Sequence, residues 1–97
     1  MRRTAEDART SDAVRKRDNW TCQRCHKWMG RSQGLHAAHI FTRSIKKTRH
    51  DLDNLVSLCY GCHSWSHRNP LEFHEWVIKR MGADGYSALM ARAKRIK

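Results

Sequence analysis

The chain has no run of about 18 apolar residues, the least that a membrane-crossing helix needs. It also lacks a signal-peptide core and any lipidation motif, so the sequence predicts a cytosolic protein with no membrane partner. Proline occurs once and glycine five times in 97 residues. They never gather with serine into a linker, and no repeat or low-complexity segment is visible. One domain covering residues 1–97 is the expectation. Acidic residues are scarce, nine Asp+Glu against twenty Lys+Arg, and the net charge of +11 is spread along the chain. Such a field attracts polyanions, nucleic acid before anything else. Charge alone also suits a merely soluble basic protein or one that touches anionic lipid.

Four cysteines stand in two matched pairs, Cys22-x-x-Cys25 and Cys59-x-x-Cys62. The intervening turn points both sulfurs of a pair to one side, so two pairs can complete a tetrahedral zinc shell of four thiolates. Buried, unliganded cysteines or a redox pair are the alternative, but a reducing cytosol favours metal-bound thiolates over disulfides. A closed shell leaves no open position, which makes this zinc structural. It ties a first knuckle to the helix after Cys62, the arrangement of a treble clef. In so small a domain the metal matters. Structural zinc can contribute about 10–16 kcal/mol, against a net stability of about 5–15 kcal/mol for typical domains.

The elements predicted around these pairs make an α+β chain. Residues 1–17 read as a basic arm or frayed helix, with Ser11 capping a short helix over Asp12–Arg17. Residues 18–68 form the metal-binding core. In it Leu35–Ile40 is a strand, with Gly30 and Gly34 marking the connection that makes it half of a hairpin. Thr42–Asp53 is a polar loop with Arg43, Lys46, Lys47, Arg49 and His50. Leu55, Val56 and Leu58 lead into the second cysteine pair, and a helix runs from about Cys62 to His67. Residues 69–97 supply C-terminal helices. Asn69-Pro70-Leu71-Glu72 is a strong start, Phe73, Trp76, Val77 and Met81 share a face, and Gly82 closes the helix. Tyr86, Leu89, Met90 and Ala93 repeat the pattern. Trp20, Trp28, Trp65 and Trp76 read as core and knuckle packing.

A second polar series runs through the core: His39, Asn54, His63 and His67. Hydrolysing a phosphodiester needs a base to activate water and a cation to stabilise charge. Histidine, with an ordinary pKa of about 6.5, suits the base. His63 and His67, four apart on a helix, can share one metal. Singly, each histidine is more simply a satisfied polar residue. His26 and His74 stay in that class, and His50 reads as a surface or phosphate contact.

Ala38-His39-Ile40, Asn54 fifteen residues after His39, and Cys62-His63-x-x-x-His67 together resemble the HNH (ββα-metal) endonuclease motif. The four-cysteine form is one found among phage and bacterial members. The likeness runs from about Arg15 to Glu75. It implies a small treble-clef, ββα-metal domain with a structural zinc and flanking helices. By this resemblance His39 is the general base. Asn54 either ligates metal or braces the loop through backbone hydrogen bonds. His63 is the last motif histidine and His67 an additional metal ligand. Another ligand, often Asp or His, usually precedes the base, and here that position is Ala38. His36 is a candidate replacement, since residues 36 and 38 of a strand face one side. Otherwise Asn54, His63 and His67 hold the metal with water and phosphate. Arg43, Lys46, Lys47 and Arg49 are candidate phosphate contacts, or an ordinary solvated loop.

The resemblance thus implies a DNA endonuclease using one divalent metal (Mg²⁺, Mn²⁺, Ni²⁺ or Zn²⁺). Its setting would be phage DNA processing in a bacterial host cytoplasm, beside packaging proteins such as terminase, as a monomer or dimer. RNA cleavage also fits, and a non-catalytic zinc-finger module that binds nucleic acid is the alternative from a different class.

Overall fold

The computed structural model describes residues 3–30 and 34–94. Met1 and Arg2 of the expected arm, and residues 95–97 of the expected C-terminal helices, lie outside the described residues. The first helix, α1, spans Ala5–Arg17. The expected start at Asp12 is corrected: Thr4 caps the helix, and Ser11 is buried within it. The reason is a reciprocal cap. The Asp7 N–H donates to Thr4 Oγ1 at 3.1 Å, and the Thr4 N–H donates to Asp7 Oδ2 at 2.7 Å. Aspartate in place of the usual Glu or Gln hides this capping box from pattern reading.

A knuckle follows, closed by a bridge between Thr21 and Trp28. Gly30 holds φ +60° there, and a Cβ on it would lie 3.2 Å from the Trp28 ring. Strand β1 (Leu35–His39) pairs antiparallel with β2 (Leu55–Cys59), Leu35 opposite Cys59 and His39 opposite Leu55. The expected hairpin is therefore differently connected. The partner strand comes after β1, across residues 40–54, and Gly30 and Gly34 lie outside the paired segment. A single 3-10 turn, Leu52–Asn54, delivers the chain into β2.

β2 leads directly into α2 (Tyr60–Arg68), which starts two residues before the expected Cys62. Helices α3 (Pro70–Met81) and α4 (Ala83–Lys94) complete the order. Pro70 opens α3 as expected, yet Asn69 makes no side-chain cap; its amide donates back to the Trp65 carbonyl at 3.1 Å. Gly82, at φ +85°, closes α3 with its N–H on the Ile78 carbonyl.

One hydrophobic cluster joins these elements: Leu35, Ala38 and Ile40 from β1 and its exit, Val56 and Leu58 from β2, Phe73 and Val77 from α3, Leu89 from α4. Trp20, Trp65 and Trp76 pack against it. Trp28 does not; it is 68% exposed, its ring beside Gly30 of the knuckle. Helix α1 docks through its last turn. Arg17 donates to the carbonyls of Leu52 and Leu55, and Asp18 accepts the Ser57 N–H at 3.0 Å. The product is a small antiparallel two-stranded sheet followed by a helix, with a four-cysteine site: a ββα-metal fold. Among the described residues no helix is long and apolar enough to cross a membrane.

Candidate metal centre and histidine groove

The knuckle and the β2–α2 junction bring four sulfurs together. The ligand atoms of Cys22, Cys25, Cys59 and Cys62 all lie within 4.8 Å of one another, and none of the four is disulfide-bonded. Cys25 Sγ and Cys59 Sγ are 3.8 Å apart. Tetrahedral zinc with Zn–S of about 2.3 Å requires sulfurs about 3.8 Å apart, so the donor set fits that ion. Without a cation the thiols oppose one another's ionisation. Burial, aided by the neighbouring Cys22 and Cys59, pushes the Cys62 thiol up to about 12. Burial also acts against the Cys22 thiolate, but the N–H groups of Cys25, Cys59 and Arg24 outweigh it and bring Cys22 down to about 6. Arg24 donates to Cys62 Sγ at 3.6 Å while its guanidinium lies 3.6 Å over the Trp65 ring. A cation beside the thiolates eases the double negative charge that four of them leave around Zn²⁺.

The histidines gather on the other side of α2. His63 Nε2 is 3.1 Å from His67 Nε2, one turn along the helix. His63 Nδ1 is 2.8 Å from His36 Nδ1 on β1. His63 thus offers opposite ring nitrogens to its two neighbours, and one ion at its Nε2 meets His67 and not His36. Burial, then the proximity of His67, His36 and His39, lowers the His63 pKa to about 4. A neutral imidazole is the form that ligates metal. Ala38 is in the hydrophobic core. Burial along β1 does not alternate, because α1 and α2 both touch the strand.

His39 ends β1, and its Nε2 lies 3.1 Å from the Arg49 carbonyl. A carbonyl oxygen only accepts, so Nε2 carries the proton and Nδ1 keeps the lone pair of the neutral ring. Burial, with Arg43 and Arg49 nearby, holds the His39 pKa below its ordinary value, outweighing the Arg49 carbonyl and the Asp7 charge. His39, His63 and His67 line one open groove of about 450 Å³, together with Arg43 and His74.

Asn54 is fully buried. Its Oδ1 accepts the Phe41 N–H at 2.8 Å, and its Nδ2 donates to the carbonyls of Phe41 and Thr48 at 2.9 and 3.0 Å. Every polar atom of the amide is spent on the 41–48 loop, which carries the chain away from His39. In that loop Lys46 and Lys47 are exposed. Arg43 and Arg49 both reach Asp7 of α1, at 3.2 and 2.5 Å. Arg43 also lines the groove.

Sequence reading left two residues beside this site without a part. Asp7 is one, lying in the stretch read only as a basic arm or frayed helix. His74 is the other. Its Nε2 donates to the Ile40 carbonyl at 3.1 Å, which leaves Nδ1 to accept from the Tyr86 hydroxyl at 2.7 Å. That is the satisfied histidine the sequence suggested, but it lies against the residue that follows His39. His50 turns to α1, 3.3 Å from Thr10 Oγ1, and His26 is exposed on the knuckle.

Residues 22–69 match the family model described as HNH endonuclease, a segment that holds both cysteine pairs, His36, His39, Asn54, His63 and His67. No curated protein and no solved structure shows a significant match to the chain.

Proposed function

We propose, on the premise that residues 22–69 belong to the HNH endonuclease family, that this protein is a metal-dependent DNA endonuclease. The observation that carries the reading is the groove. His39, its Nε2 on the Arg49 carbonyl and its Nδ1 unprotonated, lines it together with the His63–His67 pair and Arg43. His39 takes a proton from water at Nδ1, the water oxygen bonds to phosphorus, the P–O bond to the leaving oxygen breaks, and that oxygen takes up a proton from solvent. Nε2 stays on the Arg49 carbonyl, which fixes the ring and supports positive charge as it forms. His63 and His67 are the residues that would hold the catalytic metal. When bound, a divalent ion supplies charge neutralisation at the phosphate and the leaving oxygen. His63 keeps Nδ1 for His36, so His36 orients the ligand in place of joining the shell, the part that a carboxylate, carbonyl or water more often plays. Asn54 braces the loop. Arg43 holds the phosphate, and Lys46 and Lys47 extend the contact along the backbone. Arg49, its guanidinium on Asp7, contributes through its carbonyl.

Cys22, Cys25, Cys59 and Cys62 bind one structural zinc on this reading. Residues 1–97 act as one HNH nuclease domain, its 18–68 core flanked by α1 and by the C-terminal helices. The likeness to four-cysteine phage and bacterial members supports work on phage DNA in a bacterial cytoplasm, alone or as a dimer, beside packaging proteins such as terminase. The deciding experiment is plasmid cleavage across Mg²⁺, Mn²⁺, Ni²⁺ and Zn²⁺ with His39→Ala as the control. Cleavage by the parent and not by the variant is expected. DNA binding without cleavage in every metal would favour the zinc-finger binding module instead.

A further inference from the structure

We propose that Asp7, on α1 and outside the segment that matches the HNH family, is a positioning residue that sets the general base His39 through Arg49. The inference rests on the nuclease reading and extends it beyond the matched residues. Asp7 is buried, and it grips Arg49 with both carboxylate oxygens. Arg49 Nε donates to Oδ1 at 2.9 Å and its terminal nitrogen to Oδ2 at 2.5 Å. Two parallel charge-assisted bonds to a planar fork fix orientation as well as distance. The same residue's carbonyl receives the His39 Nε2 proton at 3.1 Å. Holding the guanidinium therefore holds the backbone oxygen that decides which ring nitrogen of His39 is basic.

Asp7 is itself anchored. It closes the cap of α1 through Thr4 and accepts from Arg43 at 3.2 Å. A pocket of about 120 Å³ lies between α1 and β1, lined by Asp7, Thr10, His39, Arg43 and Arg49. It shares His39 and Arg43 with the groove. One carboxylate on α1 thus organises the base from behind and steadies the arginine at the phosphate. The alternative is that Asp7 matters only as a helix cap and a source of stability.

The test compares the zinc-loaded full chain with Asp7→Asn and with Thr4→Ala, which removes the cap and leaves the Arg49 contact. Two readouts are needed: long-range ¹⁵N–¹H NMR of the His39 ring, and kcat and KM for plasmid cleavage. The parent and Thr4→Ala should show the Nε2–H tautomer and similar kcat. Asp7→Asn should show a mixture of tautomers and a kcat lower by about ten- to a hundredfold, with KM changed less than about threefold. Should Asp7→Asn fail to fold, Arg49→Lys keeps the charge but not the fork, and the same shifts are expected of it. An unchanged His39 tautomer in the folded variant, or equal losses in Asp7→Asn and Thr4→Ala, would overturn the proposal. A parent that cuts nothing defeats the nuclease reading, and the ring spectra then still decide whether Asp7 governs His39.

Discussion

At the scale of single residues, on the proposed nuclease reading, the protonation of His39 would set the pH range of activity. Its folded pKa lies below the ordinary histidine value, chiefly through burial. The neutral, basic form is present above that lowered pKa and is lost as pH falls through it. The midpoint of the fall in cleavage rate should therefore lie below about pH 6.5, where an unperturbed imidazole is half protonated. Single-turnover rates across pH 5–8 check this, and a midpoint at or above about 6.5 would contradict it. His39→Ala should cost about 10²–10⁴-fold in rate, with zinc content and DNA affinity near the parent's, since a base acts in the transition state and holds no metal. His63→Ala should instead weaken the catalytic metal, and excess metal should restore part of the rate. His39, His63 and His67 were legible because four-residue helical spacing and a strand end are local properties. The opposite-nitrogen geometry at His63 was not, because which ring nitrogen a histidine presents depends on β1 lying across from α2.

At the scale of elements, two devices hold the site together, and they should fail differently. The four-cysteine cluster joins the knuckle to the β2–α2 junction, so on the proposed zinc reading Cys59→Ala should lose the metal and most of the near-UV signal with it. Elemental analysis and circular dichroism check both. Asn54 joins the 41–48 loop to the start of β2 by three hydrogen bonds within a fully buried site. Removing its amide leaves those backbone groups unpaired, a cost of at least about 2 kcal/mol. Asn54→Ala should keep its zinc but melt well below the parent, and an unchanged melting temperature would refute the brace. The cysteine spacing, the Pro70 helix start and the Gly82 stop could be read from residues alone, since each is a local signal. The start of α1 and the pairing of β1 could not. The first depends on a cap whose Asp7 also serves Arg49. The second depends on β2 arriving after a 15-residue connection that Asn54 pins from within.

At the scale of the whole molecule, charge decides how the protein meets its substrate. A net +11 draws in a polyanion from any direction, but counterion release counts only the phosphates that the bound protein neutralises. Among the described residues the arginines are largely committed within the fold: Arg17 to the carbonyls of Leu52 and Leu55, Arg49 to Asp7, Arg92 to Asp51 and Asp53. Lys46 and Lys47 are exposed on the loop that leaves the groove. If the DNA contact is about four phosphates, log K should fall with log salt at a slope of about −3.6, which weakens binding on the order of 10²-fold between 50 and 200 mM. Lys46→Ala with Lys47→Ala should make that slope shallower by about 2 and weaken all sequences alike. Fluorescence anisotropy with two unrelated duplexes checks both statements. A slope unchanged by the double substitution would move the DNA off this loop and away from the histidine groove it borders, and the placement of the scissile phosphate beside Arg43 would go with it.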